Sequence, residues 1–60
     1  SVEGQYGGEL MTEELRNQMI YLASVDMLRR MLRDKKFDKK VLDRLNHKNA
    51  ETMNVKVVEL

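Results

Sequence analysis

The chain has 60 residues, 42% hydrophobic and 35% charged, with no cysteine, one histidine and a formal net charge of +1. That allows one small core and excludes both a disulfide framework and a structural zinc site, which needs several Cys or His ligands. Below about 70 residues a lone core seldom leaves more than roughly 3–5 kcal/mol of stability, so self-association is the staple that remains.

The first ten residues, SVEGQYGGEL, hold all three glycines and read as a loose leader, native or left over from cloning, with Met11 as the natural start. No basic start followed by an apolar stretch marks a secretory signal, and no run approaches the roughly 20 apolar residues that span a bilayer. The expectation is a cytoplasmic bacterial protein with no membrane contact, folded as one domain over residues 11–60.

Thr12 followed by Glu13 and Glu14 reads as a helix start, because a hydroxyl caps free N–H groups and carboxylates suit the positive end of the helix dipole. Neither Gly nor Pro interrupts the chain from there to Asp34, which predicts a long helix over 13–34, about 33 Å in length. Arg33, Lys35 and Lys36 mark its end, where cations are favoured. Asp38 then reads as the cap of a second, short helix over 39–48, with Phe37 and Leu42 forming a hydrophobic staple. Val41, Leu42 and Leu45 share one face of that helix, and Asn46, Asn49 and Thr52 predict fraying between His47 and Glu51. The closing VKVVEL turns β-branched, which suggests a short strand or an extended tail. A lone strand has no partner for its backbone groups, so it pairs with a second subunit or the leader, or stays disordered. The fold class is all-α, a two-helix hairpin with at most a short C-terminal strand.

On a helical wheel the first helix is apolar nearly all round, and such a helix needs cover on more than one side. Met27, Leu28, Met31 and Leu32 fall on the side assigned to the hairpin core, together with Phe37, Leu42 and Leu45. A ten-residue second helix is too short to reach the start of the first. Leu15, Met19, Ile20, Leu22, Ala23 and Val25 are therefore assigned to self-association, with a homodimer favoured, antiparallel or crossed. Methionines at 11, 19 and 27 would let the surface adapt to a different protein partner as well.

The segment LRRMLRDKKFDKKVLDRL resembles the SHOCT (short C-terminal) domain, an apolar helix, a tight turn and an acid-capped second helix. Phe37 takes the apolar turn position, Asp38 the cap and Leu42 the apolar position of the second helix. Upstream, LRNQMIY resembles a Leu-Arg-x-Glu-Met-x-Tyr stretch of longer SHOCT-like proteins of bacterial mobile elements, through Leu15, Arg16, Met19 and Tyr21, with Gln18 in place of the acid. The resemblance covers about 35 of the 60 residues. It departs from the family at Lys36, where the turn has Gly, and at Lys39 and Lys40, where the family has acids. It implies an oligomerisation or accessory module with no catalysis.

Charge is unevenly distributed. Residues 1–28 carry −4, residues 29–48 carry +6 and residues 49–60 carry −1. Arg29, Arg30, Arg33, Lys35, Lys36, Lys39, Lys40 and Arg44 surround the turn and are the candidate anion or nucleic-acid contacts. Phosphates would suit such a block, and Lys39 and Lys40 oppose the dipole of their own helix. Yet the one aromatic residue among these bases, Phe37, is assigned to the staple and so is not free to stack on bases, no third helix completes a helix-turn-helix, and the strand of a ribbon-helix-helix would have to come first. The solvated-face alternative stands beside it, with Asp34, Asp38 and Asp43 partly neutralising the block. There is no phosphate loop or nucleophile constellation, Glu13 and Glu14 point apart, and His47 sits where a solvated or capping role suffices. The sequence therefore predicts a non-enzymatic self-association or protein-interaction module without cofactor or metal, the alternative being a small nucleic-acid-binding regulator that uses the basic turn.

Overall fold

The computed structural model describes residues 12–60 as two helices, α1 (Glu13–Arg33) and α2 (Lys39–Met53), joined by a short turn and followed by an extended tail. This is the expected helical hairpin. The readings of the leader and of Met11 lie outside the described residues.

Local chemistry sets each helix end. The Thr12 hydroxyl accepts a hydrogen bond from the Leu15 N–H at 3.0 Å, and Glu13 and Glu14 occupy the first turn. At the other end Lys35 takes the left-handed conformation, φ 57°, and its N–H donates to the Leu32 carbonyl at 3.1 Å. The reversal therefore falls one residue before Lys36, the position expected from the resemblance, and costs a residue with a Cβ about 1–2 kcal/mol. Asp38 caps α2 as expected, accepting from the Lys40 N–H at 3.0 Å.

Helix α2 runs to Met53, well past the fraying expected after His47. Asn46 and Ala50 are fully buried on its inner face and Met53 packs beside them. Burial overrides the weak propensities of Asn46, Asn49 and Thr52. Asn54 then stops the helix in a left-handed conformation, φ 56°. Its N–H donates to the Glu51 carbonyl at 3.1 Å and the Val55 N–H to the Ala50 carbonyl at 3.0 Å. Those two bonds make a Schellman motif, with Asn as the second-best residue for the role.

The buried residues form two stripes at helical spacing, Tyr21, Val25 and Leu28 on α1 against Leu42, Asn46 and Ala50 on α2. Residues 55–60 form no strand among the described residues. They run extended across the hairpin, where Val55, Val57, Val58 and Leu60 are half-buried against Tyr21, Val25 and Ala50.

Several assignments move as a result. Leu28 and Leu42 are core residues as expected, and Met31 and Leu32 are half-buried. Met27 (62% exposed), Phe37 (48%) and Leu45 (44%) lie outside the core. Phe37 is about half exposed beside the buried Leu42, and Asp38, accepting from the Lys40 N–H, caps the start of α2. Val25, assigned to self-association, is buried inside the hairpin because it lies one turn beyond Tyr21 on the same stripe.

Candidate interaction surface

The tail is held by a polar clasp that the sequence reading did not find. Tyr21 Oη donates to Asn46 Oδ1 at 2.8 Å and accepts from the Val58 N–H at 2.9 Å. Asn46 Nδ2 donates to the Val58 carbonyl at 2.8 Å. Two fully buried side chains thus satisfy each other and both backbone groups of one tail residue, as a neighbouring strand would. Around the clasp, Arg29 Nη2 donates to the Glu59 carbonyl at 2.9 Å, and His47 Nε2 lies 3.5 Å from the Glu59 carboxylate. At the open end of the hairpin, Asn17 Nδ2 donates to the Met53 carbonyl at 3.4 Å. The available signal was the spacing Leu42, Asn46, Ala50. A polar residue midway along an apolar stripe needs a buried partner, and Tyr21 supplies one.

These contacts place the tail on one flank of the hairpin. The opposite flank holds a cavity of about 150 Å³ lined by Ile20, Tyr21, Ser24, Asn49, Thr52 and Met53. Ile20 and Met27 lie within about 20° of each other on the α1 wheel, and Val41, Leu45 and Thr52 within about 40° on that of α2. Ile20, Met27, Val41 and Leu45 are all exposed, so this uncovered flank is mainly apolar and drawn from both helices. A second exposed stripe, Leu15, Met19, Leu22 and Ala23, runs along the back of the first half of α1.

The eight bases around the turn are all exposed but not equivalent. Arg29 is engaged by the tail, Arg30 pairs with Asp26 at 2.7 Å, and Lys39 pairs with Asp43 at 2.8 Å. Asp43, as hydrogen-bond acceptor and then as countercharge, holds the Lys39 ammonium above its ordinary range. Lys39 is thus matched within its own helix, which offsets its unfavourable place near the helix start. Among the described residues Arg33, Lys35, Lys36, Lys40 and Arg44 have no carboxylate within ion-pair distance. The free N–H groups at the start of α2 already face the Asp38 carboxylate, which weakens that end as an anion site.

Among the described residues no group of three His, Asp or Glu side chains is arranged to hold a metal ion, and no helix is long and apolar enough to cross a membrane. Comparison with protein-family models, curated proteins and solved structures found no match for the chain.

Proposed function

We propose that this chain is a non-enzymatic self-association and protein-interaction module. The observation that carries the reading is the imbalance between its core and its surface. Five apolar residues are buried among those described, while Leu15, Met19, Ile20, Leu22, Met27, Phe37, Val41 and Leu45 are 44–62% exposed. Single exposed apolar residues are ordinary, but all of these except Phe37 fall on two surfaces, one flank of the hairpin and the back of α1, and grouped exposure of that kind marks interaction sites. The short resemblance to the SHOCT domain points the same way. Sedimentation equilibrium at micromolar concentration tests the reading: a mass that is a multiple of the monomer supports it, and a folded monomer throughout the range contradicts it.

The five unmatched cations favour a second reading, nonspecific contact with nucleic acid through the turn. Its signature is binding to random duplex DNA that weakens steeply as salt rises, because each neutralised phosphate releases counterions. Absence of binding at low salt removes it.

A further inference from the structure

Among the described residues the tail covers one flank of the hairpin, and the other flank is exposed. We propose that it binds the same flank of a second copy in antiparallel orientation, forming a four-helix dimer in which Ile20 of each copy meets Met27 of the other. This rests on the self-association reading above and gives it a surface, a partner and a direction.

Spacing supplies the first argument. A two-fold contact requires that every residue have its complement on the same surface. The Asn17–Met53 hydrogen bond sets the relative level of the helices toward their open end. At that level the point midway between Ile20 and Met27 on α1 lies opposite the point midway between Val41 and Thr52 on α2. One two-fold axis across the hairpin at that height exchanges Ile20 with Met27 and Val41 with Thr52, and sets Leu45 against the aliphatic stem of Lys48. Ser24, small and half-buried, lies beside the axis, where close approach is needed. Ile20 rims the 150 Å³ cavity. The flexible Met27 side chain of a second copy stands opposite and is suited to filling such a space.

Charge supplies the direction. The turn end carries Arg33, Lys35, Lys36, Lys40 and Arg44 without ion-pair partners among the described residues. The open end carries Glu13, Glu14 and Glu51 with Arg16 and Lys48. Parallel hairpins would set two basic turns side by side, whereas antiparallel ones set each basic turn against the other copy's more acidic end. The back stripe of α1, Leu15, Met19, Leu22 and Ala23, is drawn from the first half of one helix and ends at Asp26, so it offers a shorter contact than a flank built from both helices.

The test compares the wild type with two charged double variants by sedimentation and circular dichroism. A dimeric wild type, a folded Met27→Lys/Leu45→Lys variant whose dissociation constant rises at least about a hundredfold, and a Met19→Lys/Leu22→Lys variant that remains dimeric support the proposal. If the back-stripe variant becomes monomeric and the flank variant does not, the flank is the wrong surface, although self-association stands. A monomeric wild type overturns both. Should either charged variant unfold, cysteine pairing decides, since the chain has no cysteine of its own. Mixed Ile20→Cys and Met27→Cys chains should oxidise almost wholly to the heterodisulfide. A predominance of either homodisulfide, or no cross-linking, overturns the antiparallel flank contact.

Discussion

Tyr21→Phe removes one oxygen and leaves the ring, so it isolates the clasp from the packing around it. In the folded chain that oxygen is fully buried, with an Asn46 acceptor at 2.8 Å and a Val58 donor at 2.9 Å. The variant leaves both groups without that partner. A buried group stripped of its partner costs about 1–3 kcal/mol. The surviving Asn46 to Val58 carbonyl bond keeps the tail near its place and limits relaxation, so the expected loss is about 2–4 kcal/mol. At roughly 4–8 °C of melting temperature per kcal/mol for so small a domain, the melt should fall by about 10–30 °C. Thermal melting followed by circular dichroism measures this, and amide exchange at Val58 should accelerate together with it. Combining Tyr21→Phe with Asn46→Leu should cost less than the two single changes added, because they break one shared bond. A melt within about 2 °C of the wild type, with the Val58 amide still protected, would refute the clasp as the element that holds the tail.

Four other outcomes follow from the same geometry. Phe37→Ala should cost less than about 1 kcal/mol because the ring is exposed, whereas Leu42→Ala, at a fully buried site, should cost about 2–5 kcal/mol in a denaturant titration. Lys35→Gly should raise stability by roughly 0.5–1 kcal/mol by relieving the left-handed backbone, while Asn54→Gly should change it only by a few tenths in the same titration. Because its partner raises the folded value for Lys39, that pair's contribution is complete below the ordinary lysine value of about 10.4 and disappears as pH rises through the higher folded value. The melting difference between the wild type and Lys39→Met should accordingly vanish at strongly alkaline pH. Amide exchange along the tail should be uneven, slow at Val58 and fast at Lys56, in contrast to the uniformly rapid exchange of a disordered segment.

The hairpin was legible in the sequence because its signals are local. Thr12 with two acids, the unbroken run to Asp34 and the Asp38 cap each act within one turn of helix, and each stands where it was read. What misled was the treatment of residues by type. Phe37 read as core because it is aromatic and precedes a cap, yet the left-handed Lys35 starts a turn that leaves its ring in solvent. Asn46 read as one of three residues that weaken the end of the helix because its intrinsic propensity is poor, yet its partner lies 25 residues earlier in the chain, beyond the reach of any local pattern. The shortened second helix and the misplaced Val25 both follow from that single omission. Once Asn46 is an inward residue, Leu42, Asn46 and Ala50 make one stripe, the helix continues to Met53, and Tyr21 and Val25 become its facing stripe. For the tail, β-branched character points to strand pairing or disorder and carries no sign of a side-chain clasp from Tyr21 and Asn46.

The clasp also determines which surface is left to meet a partner. An apolar tail lying on an apolar hairpin has no intrinsic register, and a slip of one residue changes which side chains turn inward. Clasping both backbone groups of Val58 fixes the register, with Lys56 and Glu59 in solvent and the valines inward. It also fixes the flank, since Arg29 and His47 meet Glu59 on one side only. Deleting residues 55–60 should therefore do more than lower stability. It uncovers Tyr21, Val25 and Ala50, gives the hairpin two apolar flanks and removes the bonds of Tyr21 and Asn46 to Val58, while their bond to each other remains. A flank that closes two-fold on itself forms a dimer and leaves only the back stripe of α1 exposed, whereas a second exposed flank gives each chain a further site at which copies can add without closure. Light scattering at micromolar concentration should show the truncated chain as large and polydisperse where the intact chain is discrete. Adding the peptide NVKVVEL in excess should partly restore the discrete species, since recognition centres on a backbone site that a separate peptide also presents. A truncated chain that stays folded and as discrete as the intact one would mean that the tail covers nothing of consequence.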